Sequence, residues 1–142
     1  MANSPLAGGS HLPDITLITP VFNPSNQKEI IFFTASRAHH ADIGGILPGS
    51  MPPTSTCLAE EGAEVVSFRI VRDGVFDSKG LYELMVERPA KVEGSSGCRK
   101  LSDVESDLKA VWPQNILLLN CLTLTDSSKY RQITKERLYF IH

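Results

Sequence analysis

The first cluster of apolar and β-branched residues is Ile15-Thr16-Leu17-Ile18-Thr19-Pro20-Val21-Phe22, bounded by Asp14 and by the turn-forming run Asn23-Pro24-Ser25-Asn26. It predicts a strand, with Pro20 marking an edge or a bulge near its end. Glu29 to Ser36 repeats the bias toward Ile, Phe and Thr, and the short polar connection predicts an antiparallel pair of buried strands. Gly44, Gly45, Pro48, Gly49, Pro52 and Pro53 exclude regular structure from residues 44 to 56 and predict a long loop. Leu58 to Ala63 reads as a short helical turn ended by Gly62, and Val65 to Val71 as a third strand leading into Arg72-Asp73-Gly74. In Lys79 to Glu87, Leu81, Leu84 and Met85 take the i, i+3, i+4 spacing of one buried helix face, and Pro89 ends the helix. After the glycine- and serine-rich connection Val92 to Cys98, Ser102 is the expected N-cap of a helix through Ala110, with Glu105 completing a capping box. Trp112-Pro113 is expected to break that helix; Ile116 to Thr125 is apolar without a clear period, and Asp126 to Arg137 is polar.

This order predicts an α+β fold: a mixed or antiparallel sheet with short helices and long Gly/Pro loops. It divides into residues 1–110 and a tail, 111–142, of unknown fold. The 142 residues allow one core, and 42% hydrophobic with 21% charged residues is the balance of a globular chain. Fourteen basic against 16 acidic side chains give a formal charge of -2, so no basic field exists to hold a phosphate backbone and no nucleic-acid partner is expected. The longest apolar stretches fall far short of the about 20 residues that a membrane helix needs, so no membrane partner is expected either. Residues 1–11 carry neither a charged n-region nor an apolar h-region, and Cys57, Cys98 and Cys121 follow no C-x-x-C or disulfide framework. The expected location is the cytoplasm.

Candidate chemistry sits in two short segments, Gly8-Gly9-Ser10-His11-Leu12-Pro13-Asp14 and Ser36-Arg37-Ala38-His39-His40-Ala41-Asp42-Ile43-Gly44-Gly45. Each contains His-x-x-Asp, and the strand pair brings residues near 11 and 40 toward one end of the sheet. Imidazole with carboxylate suits Mn²⁺, Fe²⁺ or Zn²⁺ better than a thiolate-loving ion. On a strand His40 would share a face with Asp42; on a helical turn His39 would. The same histidines could equally be loop caps or interior hydrogen-bonding groups, with Asp14 and Asp42 as turn residues. Arg37 is a candidate for a substrate carboxylate, which its planar fork binds bidentately. Cys57 has no nearby histidine and reads as a small packing residue. No glycine pattern here matches a phosphate cradle, so no residue is assigned to a nucleotide cofactor.

These segments, followed by Pro48-Gly49-Ser50-Met51-Pro52-Pro53, Glu60-Glu61-Gly62-Ala63, Asp73-Gly74-Val75-Phe76 and Ser106-Asp107-Leu108-Lys109-Ala110, resemble the hydantoinase B/oxoprolinase family over roughly residues 2 to 110. The resemblance implies part of a larger hydantoinase B-type domain. In that family an actin-like half uses ATP to phosphorylate 5-oxoproline, and the hydantoinase B half hydrolyses the activated lactam to glutamate. ATP would therefore be used by a domain absent from this chain, and the chain would be incomplete and inactive alone. The implied partners are a 5-oxoproline-like small molecule and a homologous or ATP-binding subunit. Related carboxylases hold a divalent metal through histidine and acidic residues, and His11, His39 and Asp42 take the matching positions, with Asp14 and His40 orienting the ligands or a metal-bound water and Arg37 orienting the substrate. A non-catalytic metal-binding or interaction module, or a hydantoinase-type cyclic amide hydrolase, is the alternative. The sequence departs from the family at Ala38, where glycine is usual, at Gly94-Ser95-Ser96-Gly97-Cys98-Arg99, and from Val111 onward. A sheet cut from a larger domain would also present unpaired edges and apolar faces.

Overall fold

The computed structural model describes residues 1–23, 25–49 and 52–123, with side chains to residue 116. Residues 124–142 of the expected tail, and the side chain of Cys121, lie outside the described residues.

The dominant element is a long hairpin. β1 (Asp14–Asn23) pairs antiparallel with β2 (Asn26–His39) from Asp14↔His39 at the base to Asn23↔Asn26 at the tip. The register slips around Phe22, two residues after Pro20, where the missing N–H makes an irregular end inexpensive. Alternation sets the two faces of β1: Ile15, Leu17 and Val21 point inward and are almost wholly buried. β2 differs from the expectation of a buried strand, because every one of its residues is exposed or half-buried. Ile30, Ile31 and Phe33 stand open to solvent, Phe33 at 61% of its surface.

The expected third strand over Val65 to Val71 shrinks to β3 (Val71–Arg72), paired with β4 (Val75–Phe76) around Asp73-Gly74. The reason is that residues 65–68 spend their backbone groups on the N-terminal segment. The Val65 carbonyl accepts from Asn3 N at 2.9 Å and Ser4 N at 3.2 Å, and Phe68 N donates to Met1 O at 2.9 Å. Ala2 in turn bridges Thr16 of β1.

α1 (Leu58–Glu61) is the expected helical turn, ended at Gly62, where φ is +131° and a side chain would press on Ile43. α2 (Ser78–Tyr82) is capped by Asp77, whose carboxylate accepts from Gly80 N at 2.8 Å. It widens into a π-helical turn over Glu83–Glu87 and stops at Pro89. Leu81, Leu84 and Met85 are buried as their spacing predicts. α3 (Leu101–Thr123) corrects two expectations. It starts one residue before Ser102, whose hydroxyl donates to Asp103 rather than capping, and Glu105 bonds Ser78 and Lys109 instead. Nor does Pro113 end it. The exposed proline gives up one ladder hydrogen bond, and two residues later Asn115 ties the helix to the hairpin.

The core lies between the inner face of β1, α2 and α3, and contains Leu12, Ile15, Leu17, Ile43, Val65, Ile70, Leu81, Leu84, Met85, Val104 and Leu108. Layers of helix on a small antiparallel sheet make this an α+β fold. Among the described residues no helix is long and apolar enough to cross a membrane.

Candidate functional site

The base of the hairpin gathers the chemistry. The turn before β1 closes with Asp14 N donating to His11 O at 3.1 Å, which is what His-x-x-Asp spacing provides when the two central residues are anchored. Leu12 and Pro13 supply that anchor by being fully buried. His11 and Asp14 are thus placed on one side. Asp14 opens β1 and His39 closes β2 as its register partner, so all three side chains converge.

His11 Nε2 lies 2.9 Å and His39 Nδ1 3.0 Å from the same Asp14 oxygen, Oδ1. The two rings are tilted at 36° with centroids 5.1 Å apart. Ser10 donates its hydroxyl to the other oxygen, Oδ2, at 2.7 Å. Asp14 is held down to about 2, chiefly by the Ser10 bond against some desolvation, with further lowering from the bonds of His39 and His11 and the charge of His11. It is an anion at any working pH.

One ligand atom from each of His11, Asp14 and His39 falls within 4.8 Å of the others. Two ligand atoms about 2.1 Å from a shared ion and set about 90–110° apart lie about 3.0–3.4 Å from each other, close to the O···N distances here. Two imidazoles with one carboxylate are the donor set of Mn²⁺, Fe²⁺ or Zn²⁺. The residues fit such an ion.

Asp42, expected among the ligands, is elsewhere. After His39 the chain leaves the strand, and the Asp42 carboxylate is used up in holding loops: Oδ1 accepts from Gly44 N at 2.9 Å, and Oδ2 from Arg99 N at 2.9 Å and the Arg99 guanidinium at 3.5 Å. Its carbonyl also accepts from the Cys98 thiol at 3.0 Å. Asp14, expected in a supporting role, stands in the position foreseen for Asp42.

His40 points to the opposite face from His39, as strand alternation requires, and is almost fully buried. Its backbone N–H donates to Pro13 O at 3.0 Å, its Nδ1 faces Asp107 at 3.6 Å, and among the described residues its Nε2 finds no hydrogen-bond partner. Burial lowers its pKa, so it is a neutral interior histidine under α3 rather than part of the Asp14 group. Arg37 sits two residues before His39 on the same outward face, about 7 Å along the strand. Its Nε donates to Thr16 Oγ1 at 2.9 Å, its register partner on β1. Burial pushes the Cys98 thiol up, and Cys57 is exposed with no imidazole beside it in the sequence.

The sequence reading missed Ser10 and Asn3. Ser10 was legible as the residue four before Asp14 in the same turn; Asn3 gave no signal, since its partners lie 9 to 62 residues away.

A histidine-carboxylate cluster at the base of an antiparallel hairpin, with an arginine on the same outward face, is a candidate divalent-metal site. The chain belongs to the hydantoinase B/oxoprolinase family, whose profile matches residues 1–118 and so continues past Ala110 along α3. It is 53% identical over 126 residues to a 5-oxoprolinase of Saccharomyces cerevisiae, covering 87% of this chain and 10% of that one. It is 49% identical over 113 residues to 5-oxoprolinase 1 of Arabidopsis thaliana (78% and 9%), and 50% identical over 110 residues to a 5-oxoprolinase of Dictyostelium discoideum (78% and 8%). The chain therefore spans about a tenth of the length of these relatives. No solved structure matches it at a significant level.

Proposed function

We propose that the chain carries part of the lactam-hydrolysing half of an ATP-dependent 5-oxoprolinase, which opens 5-oxo-L-proline to L-glutamate in cytoplasmic glutathione metabolism. The observation that carries this is the convergence of His11, His39 and Asp14 within 4.8 Å in a chain half-identical to 5-oxoprolinases. ATP would be handled outside residues 1–142, on a homologous or ATP-binding partner segment.

In this reading His11 Nε2, Asp14 Oδ1 and His39 Nδ1 hold a divalent ion. When bound, such an ion supplies Lewis acidity that polarises a lactam carbonyl and makes water a better nucleophile. Asp14 stays ionised and contributes the negative charge of the ligand set. Arg37, braced at Nε by Thr16, turns its remaining N–H donors to the substrate carboxylate and fixes the ring relative to the hairpin base. The half-exposed His39 leaves the site open on its outer side for substrate and water.

Elemental analysis of the purified chain tests the metal reading. Near-stoichiometric Mn, Fe or Zn is expected, and saturating Mn²⁺ or Zn²⁺ should raise the melting temperature by about 5–10 °C. His39→Ala should abolish both effects while Asp42→Asn keeps the metal; equal metal content in His39→Ala and the parent would sink the assignment.

The activity itself calls for a chimera, with residues 1–118 replacing the matching segment of the yeast 5-oxoprolinase. Glutamate should form from 5-oxoproline only with ATP. Arg37→Ala in that chimera should raise KM for 5-oxoproline about 10–100-fold, the loss of a charge-assisted bond, with metal content intact. An unchanged KM removes Arg37 from substrate binding.

A further inference from the structure

The two oxygens of Asp14 are in different hands. Oδ1 faces both imidazoles at 2.9 and 3.0 Å, while Oδ2 accepts a single hydroxyl, that of Ser10, at 2.7 Å. We propose that Ser10 is a positioning residue for the metal centre: its hydroxyl fixes the rotation of the Asp14 carboxylate and presents Oδ1 alone to a divalent cation, enforcing one-oxygen ligation. The inference rests on the metal reading above and extends it to what orients the carboxylate.

The terminal torsion of an aspartate is broad and nearly two-fold, so the backbone at Asp14 does not choose between its oxygens. Without a second partner the carboxylate can turn toward two-oxygen ligation, the mode that suits a larger, oxygen-seeking ion such as Ca²⁺. A hydroxyl donor on Oδ2 makes the oxygens inequivalent and matches the centre to the smaller ions that two imidazoles prefer.

Ser10 is itself placed by a tightly packed backbone. Gly9 N donates to Ser4 O at 2.8 Å, and a Cβ on Gly9 would lie 2.4 Å from the Asn3 carbonyl oxygen. The segment that presents Ser10 is therefore pressed against residues 3 and 4. The Ser10 side chain is exposed, so removing its hydroxyl takes away no core contact.

The test is titration of the purified, metal-free full chain with Co²⁺, followed by visible absorption, in the parent, Ser10→Ala, Ser10→Thr and His39→Ala. Ser10→Ala should weaken Co²⁺ binding about 10–100-fold and shift the absorption envelope, as loss of a group that orients a ligand does. Ser10→Thr, which keeps the hydroxyl, should restore affinity to within about threefold, and the metal-free melts of the Ser10 variants should stay within about 2 °C of the parent. Parental affinity and spectrum in Ser10→Ala, with binding still lost in His39→Ala, overturns the role of Ser10 and leaves the metal centre standing. Ser10→Thr as weak as Ser10→Ala, or metal-free melts lowered equally in both, also overturns it. Equal Co²⁺ binding in the parent and His39→Ala, or none in the parent, overturns the metal reading and this proposal together.

Discussion

Asn3→Asp is expected to leave the chain without a cooperative thermal transition. The Asn3 side chain is 2% exposed and fully used: Nδ2 donates to Leu12 O at 2.6 Å and Ala63 O at 2.9 Å, while Oδ1 accepts from Val65 N at 2.7 Å. It thereby joins the turn that carries His11, the strand-like segment beginning at Val65, and its own N-terminal run. An aspartate keeps the acceptor but turns a carboxylate oxygen toward two carbonyl oxygens with no donor between them. A buried charge without a partner and two orphaned carbonyls cost about 4–6 kcal/mol together, comparable with the whole stability of a small domain. Asn3→Ala, which removes the partners but adds no charge, should cost about 3–4 kcal/mol. Urea and thermal melts followed by circular dichroism decide the matter. A transition for Asn3→Asp within about 5 °C of the parent would show that the interior rearranges around the lost bonds.

The second large effect is expected at Asn115. Its side chain has no exposed surface, yet it is polar, and it sits where α3 crosses the hairpin. Oδ1 accepts from Ser36 Oγ at 2.6 Å; Nδ2 reaches Thr19 Oγ1 at 3.3 Å and Leu17 O at 3.5 Å. Asn115→Leu matches it in branching and heavy-atom count but leaves the Ser36 and Thr19 hydroxyls without their amide partner, a cost of about 2–4 kcal/mol. Trp112, the single tryptophan, packs against the core one turn earlier and reports the docking of this helix. Red-shifted Trp112 fluorescence well below the main transition is the expected sign that the end of α3 has come away. In a Ser36→Ala/Asn115→Ala cycle the coupling should be about 0.5–1.5 kcal/mol. Additive losses would mean that the two side chains do not act as a pair.

The hairpin was legible because β1 and β2 state their class locally, in β-branched runs separated by Asn-Pro-Ser-Asn. The buried face of α2 and of the π-helical turn that continues it was legible for the same reason, as Leu81, Leu84 and Met85 repeat at helical spacing. Val65 to Val71 misled because the run looks like a strand, while its backbone is engaged by residues 1–4, which no local pattern reveals. Pro113 misled in the opposite sense. A proline lowers the odds of a helix, but docking of Asn115 on the hairpin outweighs one lost ladder bond.

At the site, His11 and His39 could be picked out as histidines of repeated His-x-x-Asp spacing, but spacing cannot tell which aspartate joins them. That choice follows from register. Asp14 pairs across the hairpin with His39, whereas Asp42 lies three residues beyond the end of β2 and is claimed by Gly44 and Arg99. Arg37 was found by its chemistry; its bracing by Thr16 needed the pairing of the strands.

The hairpin is also a cantilever. Its ten-residue arm reaches about 30 Å from base to tip; Leu12, Ile15 and Leu17 seat its root in the core, Asn115 grips Thr19 and Ser36 halfway along, and Val21 is still buried near the end. Bending amplitude in such a beam grows with distance from the clamp and is smallest at its root. Asp14 and His39 are the root pair, so swaying at Asn23 and Asn26 dies out before it reaches them. Only the tip beyond Val21 lies outside that hold, and the His11, Asp14 and His39 group sits at the opposite end from it.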